Sequence, residues 1–173
     1  MNATLHEADG RPTLRFERHY AHPIEAVWRA VSEPEQLAAW FPARIEADMR
    51  VGGRMTFTFP EGAAAPPDEE PMDVDAFRDG EVVALDPPRL FAFLWTEDLL
   101  RFDLTPEGDG CRLVFTHMFA SADRKRAARD ASGWHVCLEF LAAQLDGREP
   151  PAELSNAWEG LRDQYRAAFG VEL

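Results

Sequence analysis

Apolar residues alternate with polar ones along Thr13–Tyr20, where Leu14, Phe16 and Tyr20 share a face with Arg18, a strand pattern. The period then becomes helical. Pro23 opens a segment in which Ile24, Val27, Trp28 and Val31 form one stripe. Ser32-Glu-Pro-Glu35 has the spacing of a capping box and predicts a second short helix through Leu37 and Trp40, ended by Pro42. Alternation returns in seven further runs, Ala43–Met49, Arg54–Phe59, Met72–Phe77, Gly80–Leu85, Leu90–Trp95 and the pair Leu100–Thr105 with Arg112–Phe119. Gly52-Gly53, Pro87-Pro88 and Glu107–Gly110 read as turns, and Asp79-Gly80 as a bend or bulge. Residues 1–11 read as a frayed lead-in, and residues 60–72, rich in Pro, Ala and acid, as a mobile loop.

After Ser121, read as a helix cap like Ser32, the residues Ala127, Ala131, Trp134, Leu138, Leu141 and Leu145 step by four and three along one long helix. Gly133 marks a kink or the start of its regular part, and Gly147 caps its end. A last helix within 152–170 carries Leu154, Trp158, Leu161, Tyr165 and Phe169. A one-sided helix following a run of antiparallel strands must bury its stripe on their common face. The expected fold is therefore α+β. A curved antiparallel sheet of about six to seven strands wraps around the long helix, with two short helices after the first strand and an extra terminal helix. The 173 residues suit a single domain with its core over 13–147.

In that arrangement the inward positions converge. They are Phe57, Phe59, Phe77, Phe93, Trp95, Phe115 and His117 from the sheet, with Trp134, Leu138 and Leu141 from the helix. Two readings stand open for this set: a filled aromatic core, or the wall of a cavity that holds a small molecule. His117 is either a satisfied core histidine or a group that orients a ligand or takes a proton.

Charge and composition narrow the partners. The net charge of −13 opposes phosphate backbones and anionic membranes, so neither nucleic acid nor membrane is expected. The basic cluster Arg124, Lys125, Arg126 and Arg129 reads as a solvated helix face. No apolar leader or membrane-spanning run is visible, and Cys111 and Cys137 stand without a Cys-x-x-Cys pair, so a cytoplasmic protein with two free, inert thiols is expected. His19 with His22, and His135 with Glu139, do not make a metal site, and no cofactor is expected. No Gly-x-Ser-x-Gly elbow is present, and no catalytic residue is assigned.

Several segments together carry a family resemblance: His22–Ala30, Ser32–Leu37 with Trp40-Phe41, Gly52-Gly-Arg54, Gly80–Leu90 leading to Trp95, and Gly133-Trp134 with Leu138 and Leu141. In these the chain resembles the SRPBCC (START-related, helix-grip) superfamily, and more narrowly the branch of the heat-shock protein 90 ATPase activator C-terminal domain. The resemblance spans roughly Thr13–Gly147 and leaves the terminal helix outside it. It implies a helix-grip fold and, first, carriage or sensing of a small apolar or aromatic molecule. It also implies two alternatives, a cyclase or hydrolyase acting on a polyketide-like substrate and a chaperone-associated interaction module. The terminal helix and the sheet edge offer surfaces for a homodimer.

Overall fold

The computed structural model describes residues 2–61 and 73–171; most of the loop expected at 60–72 lies outside them. Eight strands form one open sheet: β1 (Thr4–Ala8), β2 (Arg11–Tyr20), β3 (Arg44–Ala47), β4 (Arg54–Thr58), β5 (Asp79–Asp86), β6 (Leu90–Trp95), β7 (Asp98–Glu107) and β8 (Gly110–Met118). Their order is β1-β2-β8-β7-β6-β5-β4-β3, with every neighbouring pair antiparallel. Two short helices, α1 (Ile24–Ser32) and α2 (Pro34–Leu37), link β2 to β3. The long helix α3 (Arg124–Leu145) follows β8, and α4 (Leu154–Ala168) packs against it. This is the expected α+β helix-grip architecture, with eight strands where six to seven were expected.

Five local expectations fail, each for a physical reason. The lead-in is not frayed, because residues 4–8 pair with 11–15 as strand β1 and Asp9-Gly10, both at positive φ, make the tight turn. The capping box does not form. Ser32 is the last residue of α1, and its hydroxyl donates back to the Trp28 carbonyl at 2.7 Å, while Glu33 precedes α2 without a side-chain cap. Asp123, not Ser121, caps α3 by accepting from the Arg126 N–H at 3.0 Å. Val74–Phe77 is a turn of 3-10 helix rather than a strand, started by the Asp73 carboxylate accepting from the Asp75 N–H. Asp79-Gly80 is regular strand, and the irregularity in β5 falls between Val82 and Ala84.

The registers stack the inward side chains in rungs across the sheet. One rung runs Phe16, Phe115, Phe102, Phe91 through β2, β8, β7 and β6. The next runs Leu14, His117, Leu100, Phe93, Val82. A third, at the end of the sheet, holds Asp98, Trp95 and Gly80. The first rung is closed by rings in contact, Phe102 on Phe115 at 4.8 Å and Phe91 on Phe102 at 6.3 Å, all essentially inaccessible to water. Helix α3 lays Ala127, Ala131, Trp134, Leu138 and Leu141 on this surface, all buried. Gly80 is a required glycine, because a Cβ there would lie 2.7 Å from the Phe57 ring and 2.4 Å from the Leu94 carbonyl oxygen.

Candidate functional site

The third rung is where the filled core stops. Between Trp95, α3 and α4 lies a cavity of about 410 Å³. Phe59, Phe77, Trp95, Trp134 and Trp158 supply its aromatic wall, and Asp98, His117, Arg126, Arg129 and Asp130 a polar end. Of the residues expected to line a cavity, Phe59, Phe77, Trp95, His117 and Trp134 do so. Phe57, Phe93, Phe115, Leu138 and Leu141 do not; they are buried in the packed core, at most 1% exposed. The reason is ring size. Phe93 contacts Phe57, Phe91 and Phe102 with centroids 5.1–6.4 Å apart, and Phe115 closes on Trp134 at 4.9 Å, so the centre of the grip has no room left.

A chain of hydrogen bonds fixes the polar end. The Trp134 indole N–H donates to His117 Nδ1 at 3.0 Å. Indole has no acceptor, so Nδ1 carries a lone pair and the imidazole proton sits on Nε2. That proton points at Asp98 Oδ2, 3.1 Å away. Asp98 also accepts from the Ala120 N–H at 2.8 Å and from the Arg126 guanidinium. Burial alone would raise the Asp98 pKa; the bonds from His117 and Ala120 and the charge of Arg126 outweigh it and hold the carboxyl below its ordinary range. Arg126 lies over the Phe119 ring at 5.1 Å and the Phe77 ring at 5.9 Å, and reaches Asp130 at 3.5 Å; Arg129 donates to Asp130 at 2.8 Å. Arg126 and Arg129 are therefore part of the cavity and not a solvated face, while Arg124 and Lys125 stay exposed.

Sequence reasoning missed Pro42, Asp98, Arg126, Arg129, Asp130, Gly133, Cys137 and Trp158 as cavity residues. Five of these follow one rule in hindsight. Positions 126, 129, 130, 133 and 137 make a second helical stripe beside the apolar one, mixing charges with Gly and Cys. Burial pushes the Cys137 thiol up to about 12 and raises that of Cys111 as well, so both free cysteines are poor nucleophiles. The other histidines are dispersed: His6 bonds the Thr4 hydroxyl at 2.8 Å, His19 bonds Glu107 at 2.7 Å, His22 bonds Asp146 at 2.8 Å, and His135 bonds the Tyr165 hydroxyl at 2.8 Å. Among the described residues no group of three or more His, Cys, Asp or Glu is placed to hold a metal ion, and no helix is long and apolar enough to cross a membrane.

An antiparallel sheet gripping one long helix, with a cavity at the end of the grip, defines the helix-grip class of the SRPBCC superfamily. Within it the chain belongs to the family of activator of Hsp90 ATPase homolog 1-like proteins, whose pattern matches residues 21–146. Solved structures agree on the fold. CalU16 from Micromonospora echinospora superposes with a TM-score of 0.69 at 18% identity, covering 97% of this chain and 96% of that one. EF2215 from Enterococcus faecalis, a conserved protein of unknown function, gives 0.72 at 18% identity, covering 99% and 92%. The protein encoded by BPP1335 from Bordetella parapertussis gives 0.67 at 27% identity, covering 95% and 90%. No curated protein matches the sequence.

Proposed function

We propose that the protein binds one small, uncharged, ring-containing apolar molecule in the cavity beside Trp134 and does not transform it, acting as a carrier or sensor. The observation that carries this reading is the contrast between a centre packed ring against ring and an open space of about 410 Å³ directly beside it, walled by five aromatic side chains. That volume lies in the range of small-molecule pockets, about 300–1,000 Å³. Burying about 300 Å² of a ligand's apolar surface supplies about 7 kcal/mol before ordering costs, which is the scale of micromolar binding. The charged lining residues cancel, with Arg126 and Arg129 against Asp98 and Asp130, so the pocket gives no net attraction to a charged ligand.

The same geometry weighs against acid–base turnover by His117. A general base needs a ring nitrogen within reach of the substrate. Here Nδ1 is taken by Trp134 and Nε2 by Asp98. An interaction module would be expected to show an apolar docking face, yet among the described residues the exposed large hydrophobic is Val51.

Native mass spectrometry of gently purified protein, followed by denaturing extraction, tests the binding reading. A non-covalent adduct released on unfolding is expected. A clean apo mass, together with no thermal stabilisation by any member of a broad panel of uncharged aromatic compounds, would sink it.

A further inference from the structure

Gly133 sits at the centre of the cavity stripe on α3, with Arg129 and Asp130 one turn before it and Cys137 one turn after. A glycine inside a helix is unfavourable relative to alanine, so it calls for a reason. Backbone conformation is not the reason, because α3 runs unbroken through Gly133 and its φ is not positive. Close packing is not the reason either, because a Cβ at Gly133 meets no atom within 4 Å. Gly80 shows what a packing glycine looks like here, with a ring and a carbonyl oxygen where the Cβ would be. What remains is the cavity. The half-buried Gly133 lines it, and the direction in which its side chain would grow is empty.

Resting on the pocket reading above, we infer that Gly133 is the size-determining residue of the site: its missing side chain opens the floor of the cavity, so that a ring system lies directly against the backbone of α3. Any side chain at this position takes volume from the ligand and none from the protein. The substitution that improves the helix therefore impairs the binding.

The matched control is Gly160, an exposed glycine inside α4 whose Cβ position is also open but which does not line the cavity. Wild type, Gly133→Ala, Gly133→Leu and Gly160→Ala are compared by equilibrium dialysis against 1-aminoanthracene, an uncharged three-ring probe, and by the midpoint of thermal unfolding. Both alanine variants are expected to unfold at higher temperature than wild type. Gly133→Ala should weaken the probe on the order of tenfold, as one carbon in a tight apolar site does. Gly133→Leu should remove measurable binding, and Gly160→Ala should leave it unchanged. Wild-type affinity in both Gly133 variants overturns the inference and leaves the pocket reading intact. A Gly133→Ala variant less stable than wild type also overturns it, since the glycine would then serve the fold. A wild type that takes up no probe overturns the pocket reading itself, and this inference with it.

Discussion

Asp98 is the residue on which the polar end of the cavity turns. The residue is 3% exposed, and its carboxylate gathers three donors from three segments: His117 on β8, the Ala120 backbone just beyond it, and Arg126 on α3. Asp98→Asn keeps the shape but removes the charge, and its amide protons face donors. A loss of about 3–5 kcal/mol is expected in urea unfolding, as when one partner of a buried ion pair is removed. The pH dependence has a definite sign. Because the folded pKa of Asp98 is depressed, its stabilisation is complete above the ordinary carboxyl value of 3.8 and is lost as pH falls below it toward the folded value. Asp98→Asn should remove that part of the acid unfolding curve. Trp134→Phe keeps an aromatic ring, smaller than indole, and takes away the N–H that faces His117 Nδ1; about 1–3 kcal/mol should be lost for the unsatisfied buried nitrogen. None of these bonds was legible in the sequence. Asp98 follows Thr96-Glu97 in what looks like an ordinary polar hairpin tip, and only the register, which places it beside Trp95, turns it inward.

At the scale of the element, α4 is held by a clasp that joins both ends of the described chain. The Tyr165 hydroxyl accepts from the Ala3 N–H at 2.9 Å and shares a hydrogen bond with His135 Nδ1 on α3 at 2.8 Å. Burial first, and then the positive charge of Arg18, lower the His135 pKa, with Glu139 opposing. The unfolded chain therefore takes up this proton more readily than the folded one. Stability falls as pH drops below about 6.5 and levels off only below the depressed folded value. His135→Gln, which can still hydrogen-bond to Tyr165, should flatten the stability profile below about pH 6.5, read by thermal unfolding at each pH. Long elements such as β7, β8 and α3 were legible because each repeats its period many times. The short ones were not. β1 has only five residues and a mixed surface pattern, and its identity comes from pairing with β2. Ser32 fits a capping box in spacing, but α1 runs through it, so its hydroxyl turns back to Trp28.

The whole molecule divides into a filled part and a hollow part along the same sheet face. Phe102 belongs to the first, in contact with Trp40, Phe91, Phe93 and Phe115, and fully buried. Phe102→Ala should cost about 3–5 kcal/mol, measured by urea unfolding. Phe77 belongs to the second, half-buried on the cavity wall with Trp95 at 6.4 Å. Phe77→Ala should change stability by less than about 1.5 kcal/mol in the same assay, because little packing is lost and water can enter. The alternation of β4, β6 and β8 told which face is inward, which is why half of the expected lining lies on the cavity. It could not tell how far the rungs extend before the rings run out. That boundary depends on where Phe41, Phe57 and Trp134 meet, and those contacts join residues 41, 57 and 134 across three elements or their flanks.

The aromatic wall has one more consequence. Trp95, Trp134 and Trp158, three of the five tryptophans, border the same small space. Indole emission responds to the polarity around the ring, and it is quenched by energy transfer to a nearby molecule that absorbs at the wavelengths of that emission. The protein thus carries its own optical gauge at the cavity. Whatever enters should change the colour and yield of its ultraviolet emission, and a pigmented occupant should announce itself in the protein's spectrum before any chemistry is known.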